Sequence, residues 1–139
     1  MHQTEFVVQS RGVGLYEVTR EICGWVADSG CEAGLLTLLV RHTSCSLLIQ
    51  ENADPDVQAD LQGFFTRLVP RGDDASMGWL THVLEGPDDM PAHIKAALLP
   101  VTLSIPVAGG RPALGTWQGI YLFEHRVAPH SRRIAAHLA

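Results

Sequence analysis

Apolar positions follow two periods along the chain, one of helices and one of strands. Thr4–Gln9 gathers β-branched and aromatic residues before a turn at Arg11–Gly14, which predicts a first strand. Val18, Ile22, Trp25 and Val26 then recur at helical spacing, and Gly30 stands where a helix end favours a left-handed residue. Leu35–Val40 reads as a buried strand, continuing through the polar residues 41–46 into Leu47–Ile49. Asp54-Pro55 predicts a helix start, with Asp as cap and Pro in the first helical position. Val57, Leu61, Phe64, Phe65 and Leu68 form the stripe of that helix, which Pro70 and Gly72 end.

Residues 71–86 carry turn signals and read as a loop. Asp89 is expected to cap a short helix running to Leu99, with Pro91 in its first turn. Val101, Leu103, Ile105 and Val107 alternate as in a half-buried strand, where Pro106 must turn its ring nitrogen outward or lie at an edge. Gly109 and Gly110 predict a hairpin into a long strand over 113–124, and a last strand is expected over 132–138. Helices packed on a largely antiparallel sheet or sandwich define an α+β class.

The chain has 139 residues, a size that fits a single domain over 1–139 without a disulfide or metal staple. With 46% hydrophobic and 18% charged residues it is too apolar for disorder, and its apolar runs are too short to span a bilayer. No basic stretch followed by an apolar one opens the chain, and its three cysteines lack metal-ligand spacing. A cytoplasmic location with reduced thiols is therefore expected. The net charge of −5 shows no basic stripe, so nucleic acid and membrane partners are not expected.

Candidate chemistry falls in three stretches. His42, Thr43, Ser44 and Ser46 cluster after an apolar strand, either to line a pocket or to cap a turn. His82 and His93 lie 11 residues apart across a loop holding Glu85, Asp88 and Asp89. Imidazoles among carboxylates can hold a divalent metal or act as acid and base, although each is as readily a structural residue. In the third stretch, alternation puts Thr116, Gln118 and Glu124 on one strand face, with Trp117, Tyr121 and Phe123 on the other. Thr116 and Gln118 would there contact a ligand, or pair across strands on a solvated face. Cys45 is expected to be a packed, inert thiol. Arg126, His130, Arg132 and Arg133 offer either a small anion site or a solvated edge.

HTSCSLLIQENADPDVQADL (42–61), HVLEGPDDMPAHIKAAL (82–98) and SIPVAGGRPALGTWQGIYLFEHR (104–126) together resemble the YjbQ family of secondary thiamine-phosphate synthases. Cys45-Ser46 departs from the small residue and Ala or Ser usual in that family, and 131–139 match less well. The resemblance implies a homotrimer with His42, Asn52, His82, His93, Thr116 and Gln118 in the family's polar cluster. It also implies a transferase that joins a pyrimidine-methyl pyrophosphate to a thiazole phosphate and releases pyrophosphate, as a secondary activity.

That reaction needs the leaving pyrophosphate stabilised. On this allocation His82, His93 and His42 hold a divalent ion, Mg²⁺ or Zn²⁺, or contact the anion directly. Lys95 and Arg132 or Arg133 add positive charge. Asn52, Thr116 and Gln118 orient the heterocycles on the sheet wall, in one cavity shared with the histidines. Two alternatives use the same histidines: a metal-dependent hydrolase, and a non-catalytic trimer that binds a phosphorylated or carboxylated metabolite.

Overall fold

The computed structural model describes residues 1–139. Its elements are β1 (His2–Ser10), β2 (Gly14–Glu17), α1 (Thr19–Ser29), β3 (Ala33–Val40), β4 (Cys45–Glu51), α2 (Pro55–Leu68), α3 (Asp89–Leu98), β5 (Thr102–Ala108), β6 (Arg111–Pro112), β7 (Gln118–Glu124) and β8 (His130–Leu138). All strand pairs are antiparallel. One sheet has the order β1-β8-β3-β5-β6 and the other β2-β7-β4. The expected α+β class is what is found. No helix is long and apolar enough to cross a membrane.

The alternating residues of both sheets explain the core. Leu36, Leu38 and Val40 on β3, Ile105 and Val107 on β5, and Ile134, Ala136 and Leu138 on β8 meet Cys45, Leu47, Ile120 and Leu122 of the smaller sheet. Val18, Ile22 and Val26, at the helical spacing predicted for α1, join the same cluster. Gly30 ends α1 at φ 74°, the left-handed cap its position called for. Asp54 caps α2 by accepting the Asp56 amide at 2.9 Å, a contact worth about 1 kcal/mol. β7 is covered on both faces. Ile120 and Leu122 look into the core, while Phe123 packs edge-on against Phe65 of α2 and the Tyr121 hydroxyl accepts from Gln58 at 3.1 Å.

Several expectations need correction. The strand at 35–40 does not continue through the polar residues, because 41–44 carry the chain from one sheet to the other. The hairpin at Gly109 (φ 59°) and Gly110 (φ 74°) returns only as the two-residue β6. Residues 113–117 lie outside any strand, and β7 begins at Gln118 in the other sheet. Pro106 behaves as predicted. Its partner Leu35 spends its backbone bonds on Ala139, so the proline nitrogen faces the side of β5 away from β3. β2 had no sequence signal of its own, being only four residues long.

Candidate functional site

Asp89 is the centre of the candidate site, and it is not the helix cap. The cap position is Asp88, and Asp89 falls in the first turn of α3, where His93 lies one turn further on the same face. Asp89 is buried, and its carboxylate is shared by three groups. Its Oδ1 accepts from Arg126 Nη1 at 2.6 Å. Its Oδ2 lies 2.7 Å from His82 Nε2 and 3.2 Å from His93 Nε2. Burial pushes this carboxyl up, but the His82 contact and the neighbouring cations outweigh it and hold the group below the usual carboxylate range.

The three ligand atoms of His82, Asp89 and His93 all lie within 4.8 Å of one another. The surrounding groups orient His93 and Asp89 for coordination. His93 Nδ1 donates to the Thr43 carbonyl at 2.8 Å, which leaves the Nε2 lone pair facing Asp89 in the neutral ring. Arg126 holds one carboxylate oxygen and frees the other. Its Nε also bonds Asp88 at 2.9 Å, so one guanidinium clamps both acids at the start of α3. Glu85 reaches His82 Nε2 at 2.9 Å from the solvent side. Two imidazoles and a carboxylate fit a cation that accepts nitrogen ligands, which favours Zn²⁺ over Mg²⁺. His82 lines a cleft of about 360 Å³ whose other walls include Leu80, Val83, Met90 and Pro91.

The Asp89 hydrogen bond raises the pKa of His82 against a smaller opposing effect of desolvation, and Glu85 adds to the rise. The imidazolium's contribution to stability is therefore complete below about 6.5, the unfolded value, and is lost as pH climbs through the higher folded one. An NMR titration of the ring should give a midpoint above the ordinary histidine value, returning toward it in Asp89→Asn. A midpoint unmoved by that substitution would contradict the contact.

The other residues singled out in the sequence are dispersed. His42 shares a groove of about 330 Å³ with His93, but its Nε2 accepts the Arg133 amide at 2.8 Å and it stands outside the triad. Burial, followed by the charge of Arg132, lowers its pKa. The Arg133 guanidinium pairs with Glu5 at 2.6 Å on the surface. Arg132 is buried against Glu124, with Nε–Oε1 at 2.7 Å, and donates to the Ser44 hydroxyl at 2.8 Å. Asn52 donates to Glu17 at 3.1 Å, and Gln118 accepts the Gly115 amide at 2.7 Å. Thr116 is exposed in the turn before β7.

Within one chain, Thr116 and Gln118 therefore do not wall a cavity with the histidines. Gln118 and Glu51 pair at one end of the β4–β7 ladder, and Glu124 and Cys45 at the other, six residues or about 20 Å away. Thr43, which anchors His93, lies beyond that far end. Cys45 is fully buried and burial pushes its thiol up to about 12, in keeping with an inert packed group. Sequence reasoning named Asp89 among the carboxylates near the histidines but gave it the cap, although its i, i+4 spacing to His93 pointed to the ligand role. It missed Arg126 as their clamp, which no local pattern marks.

The profile of the family described as UPF0047 protein YjbQ-like matches residues 4–139. The chain belongs to the YjbQ-like UPF0047 family. Among its relatives, UPF0047 protein sll1880 of Synechocystis is 48% identical over 99% of this chain and 91% of its own. UPF0047 protein YjbQ of Escherichia coli O157:H7 is 45% identical over 99% and 96%. A crystal structure of a YjbQ/UPF0047 family protein from Clostridium acetobutylicum superposes with a TM-score of 0.86 at 29% identity, covering 98% of this chain and 99% of the other. A protein of Aeropyrum pernix K1 gives 0.87 at 28%, covering 100% and 98%. The YjbQ-like fold thus accounts for the whole chain, and the triad is carried on its α3 and the loop before it.

Proposed function

We propose that this YjbQ-like chain holds a divalent cation on His82, Asp89 and His93 and acts on a small phosphorylated metabolite. The reaction is the one its family resemblance implies, joining hydroxymethylpyrimidine pyrophosphate to thiazole phosphate with release of pyrophosphate. The observation that carries this reading is the convergence of two imidazole nitrogens and a carboxylate oxygen within 4.8 Å beside an open cleft. When bound, the cation supplies positive charge to the departing pyrophosphate.

The protein's own part is orientation. The Thr43 carbonyl fixes the His93 ring, Arg126 fixes the Asp89 carboxylate, and the half-exposed His82 completes the set on the solvent side. Leu80, Val83 and Met90 give the cleft an apolar wall for a heterocycle. The homotrimer that kinship implies is supported by α2, which has no fully buried residue and leaves Phe64 and Leu68 half exposed.

A second reading, hydrolysis of a phosphorylated metabolite, is favoured by Glu85. Its carboxylate is mostly exposed beside His82 and is placed to take a proton from water. One assay separates the two. The purified protein, with its metal content measured, is given the pyrimidine pyrophosphate with and without the thiazole phosphate. Thiamine phosphate should appear only with both substrates and fall at least about a hundredfold in the His82→Ala, His93→Ala double variant. Anion release without the thiazole substrate selects hydrolysis. Synthesis undiminished in the double variant defeats the assignment of the residues.

A further inference from the structure

Across α3 from the triad lies a second cavity, of about 190 Å³, with Lys95 and His125 among its walls. We infer that it is a binding site for a small oxyanion of the phosphate class, with the Lys95 ammonium as its counter-charge and the His125 imidazole as a further donor. Lys95 is only 8% exposed, and its side chain takes part in none of the ion pairs or side-chain hydrogen bonds of the fold. Its ammonium is not fully enclosed, which leaves its three N–H donors free for water or for an acceptor in the cavity. The one carboxylate that acts on it, Asp88, is already bonded to Arg126 and to the Val127 amide.

His125 carries the polar atom that the fold leaves unsatisfied. It is 1% exposed, its Nε2 lies 2.9 Å from the Ser46 hydroxyl, and its Nδ1 is the sole buried side-chain polar atom without a partner. Burial, with the charge of Lys95 adding to it, drives the imidazole down to about 3, so the ring is neutral at pH 7. In the tautomer in which the Ser46 hydroxyl donates to Nε2, the ring proton sits on Nδ1 and is free to donate. An oxyanion with several acceptor oxygens satisfies both groups at once.

Size and lining narrow the ligand further. The space equals the liquid volume of about six waters, room for one phosphoryl group and not for a polymer. Val13, Val69 and Val127 give it apolar sides, and Thr66, Arg71 and Asp88 add polar ones. Lys95 is two residues past His93 and so on the opposite side of the helix. The site therefore rests on neither the triad nor the metal.

The test is calorimetric titration of the full chain with inorganic phosphate in the presence of EDTA. One saturable site of millimolar or tighter affinity is expected, unchanged in the His82→Ala, His93→Ala variant. Lys95→Met keeps the apolar stem and should weaken binding at least about tenfold. In the unsubstituted chain, labelled with ¹⁵N, the His125 imidazole resonances should shift with the same half-saturation. That measurement decides the matter alone if Lys95→Met does not fold. Absence of saturable binding, equal affinity in a folded Lys95→Met, or a silent His125 each overturns the site.

Discussion

Arg132→Met is expected to destabilise the fold by about 3–5 kcal/mol, the largest stability effect of any single polar replacement in this chain. Glu124 is fully buried and Arg132 nearly so, and they form a two-pronged pair between β7 and β8. The Ser10 hydroxyl donates to the same carboxylate at 2.6 Å, and the Ser44 hydroxyl accepts from the guanidinium. Methionine fills the space of the arginine stem but leaves Glu124 charged and unpaired in the core. Burial already pushes that carboxyl up. The bonds from Arg132, Ser10 and the Arg126 amide outweigh it and hold the group below its ordinary 4.5.

The sign of the pH effect follows from that depression. The pair's contribution is present above the unfolded value near 4.5 and is lost as pH falls through the lower folded one. In Arg132→Met the carboxyl rises and is protonated more readily. Urea denaturation should therefore show a wide gap between the two proteins at pH 7 that narrows below pH 4.5. A gap under about 1 kcal/mol at pH 7 would mean that the pair merely offsets its own desolvation.

The same two residues show what a sequence can and cannot reveal. Alternation put Glu124 on the same face of β7 as Gln118, read as a ligand wall or a solvated face; the structure keeps that parity but buries Glu124 on the core side with Ile120 and Leu122. Its partner arginine lies eight residues on, in another sheet, and a pairing between sheets has no local signature. Helices were legible because each has its own period and punctuation: Gly30 ends α1 and Asp54-Pro55 opens α2. The course of the chain after Gly110 was not. Pro112 ends β6 and the chain crosses between sheets, which separates Thr116 and Gln118 from the histidines of the same chain.

For the site, His82 and His93 were visible as residue types. Their convergence depends on Arg126 arriving from the end of β7 to hold the acid between them. Asp89 illustrates the ambiguity of an acid at a helix start, where one residue type serves as cap or as ligand. The backbone register decides between them. Asp88 stands at the cap position, and Asp89 is turned toward the rings.

Asp89→Asn should therefore remove most of the site's capacity for a cation. The amide is close to the carboxylate in shape but carries no charge, so a Zn²⁺ titration should show at least about a hundredfold weaker binding, beyond the 10–100-fold typical of an outer-shell change. Thermal melting gives an independent reading. With free metal at about a hundred times its Kd, the unsubstituted chain gains about 2.7 kcal/mol, and Asp89→Asn should gain almost none at that metal concentration. Asp88→Asn separates ligand loss from loosening of Arg126. It disturbs the same guanidinium and leaves the three ligand atoms in place, so its metal affinity should fall far less than that of Asp89→Asn. Metal binding must also weaken as pH falls, since protons compete for the His82 nitrogen. Equal losses in the two variants would make the clamp, not the carboxylate, the determinant, and an unaltered affinity in Asp89→Asn would place the cation elsewhere.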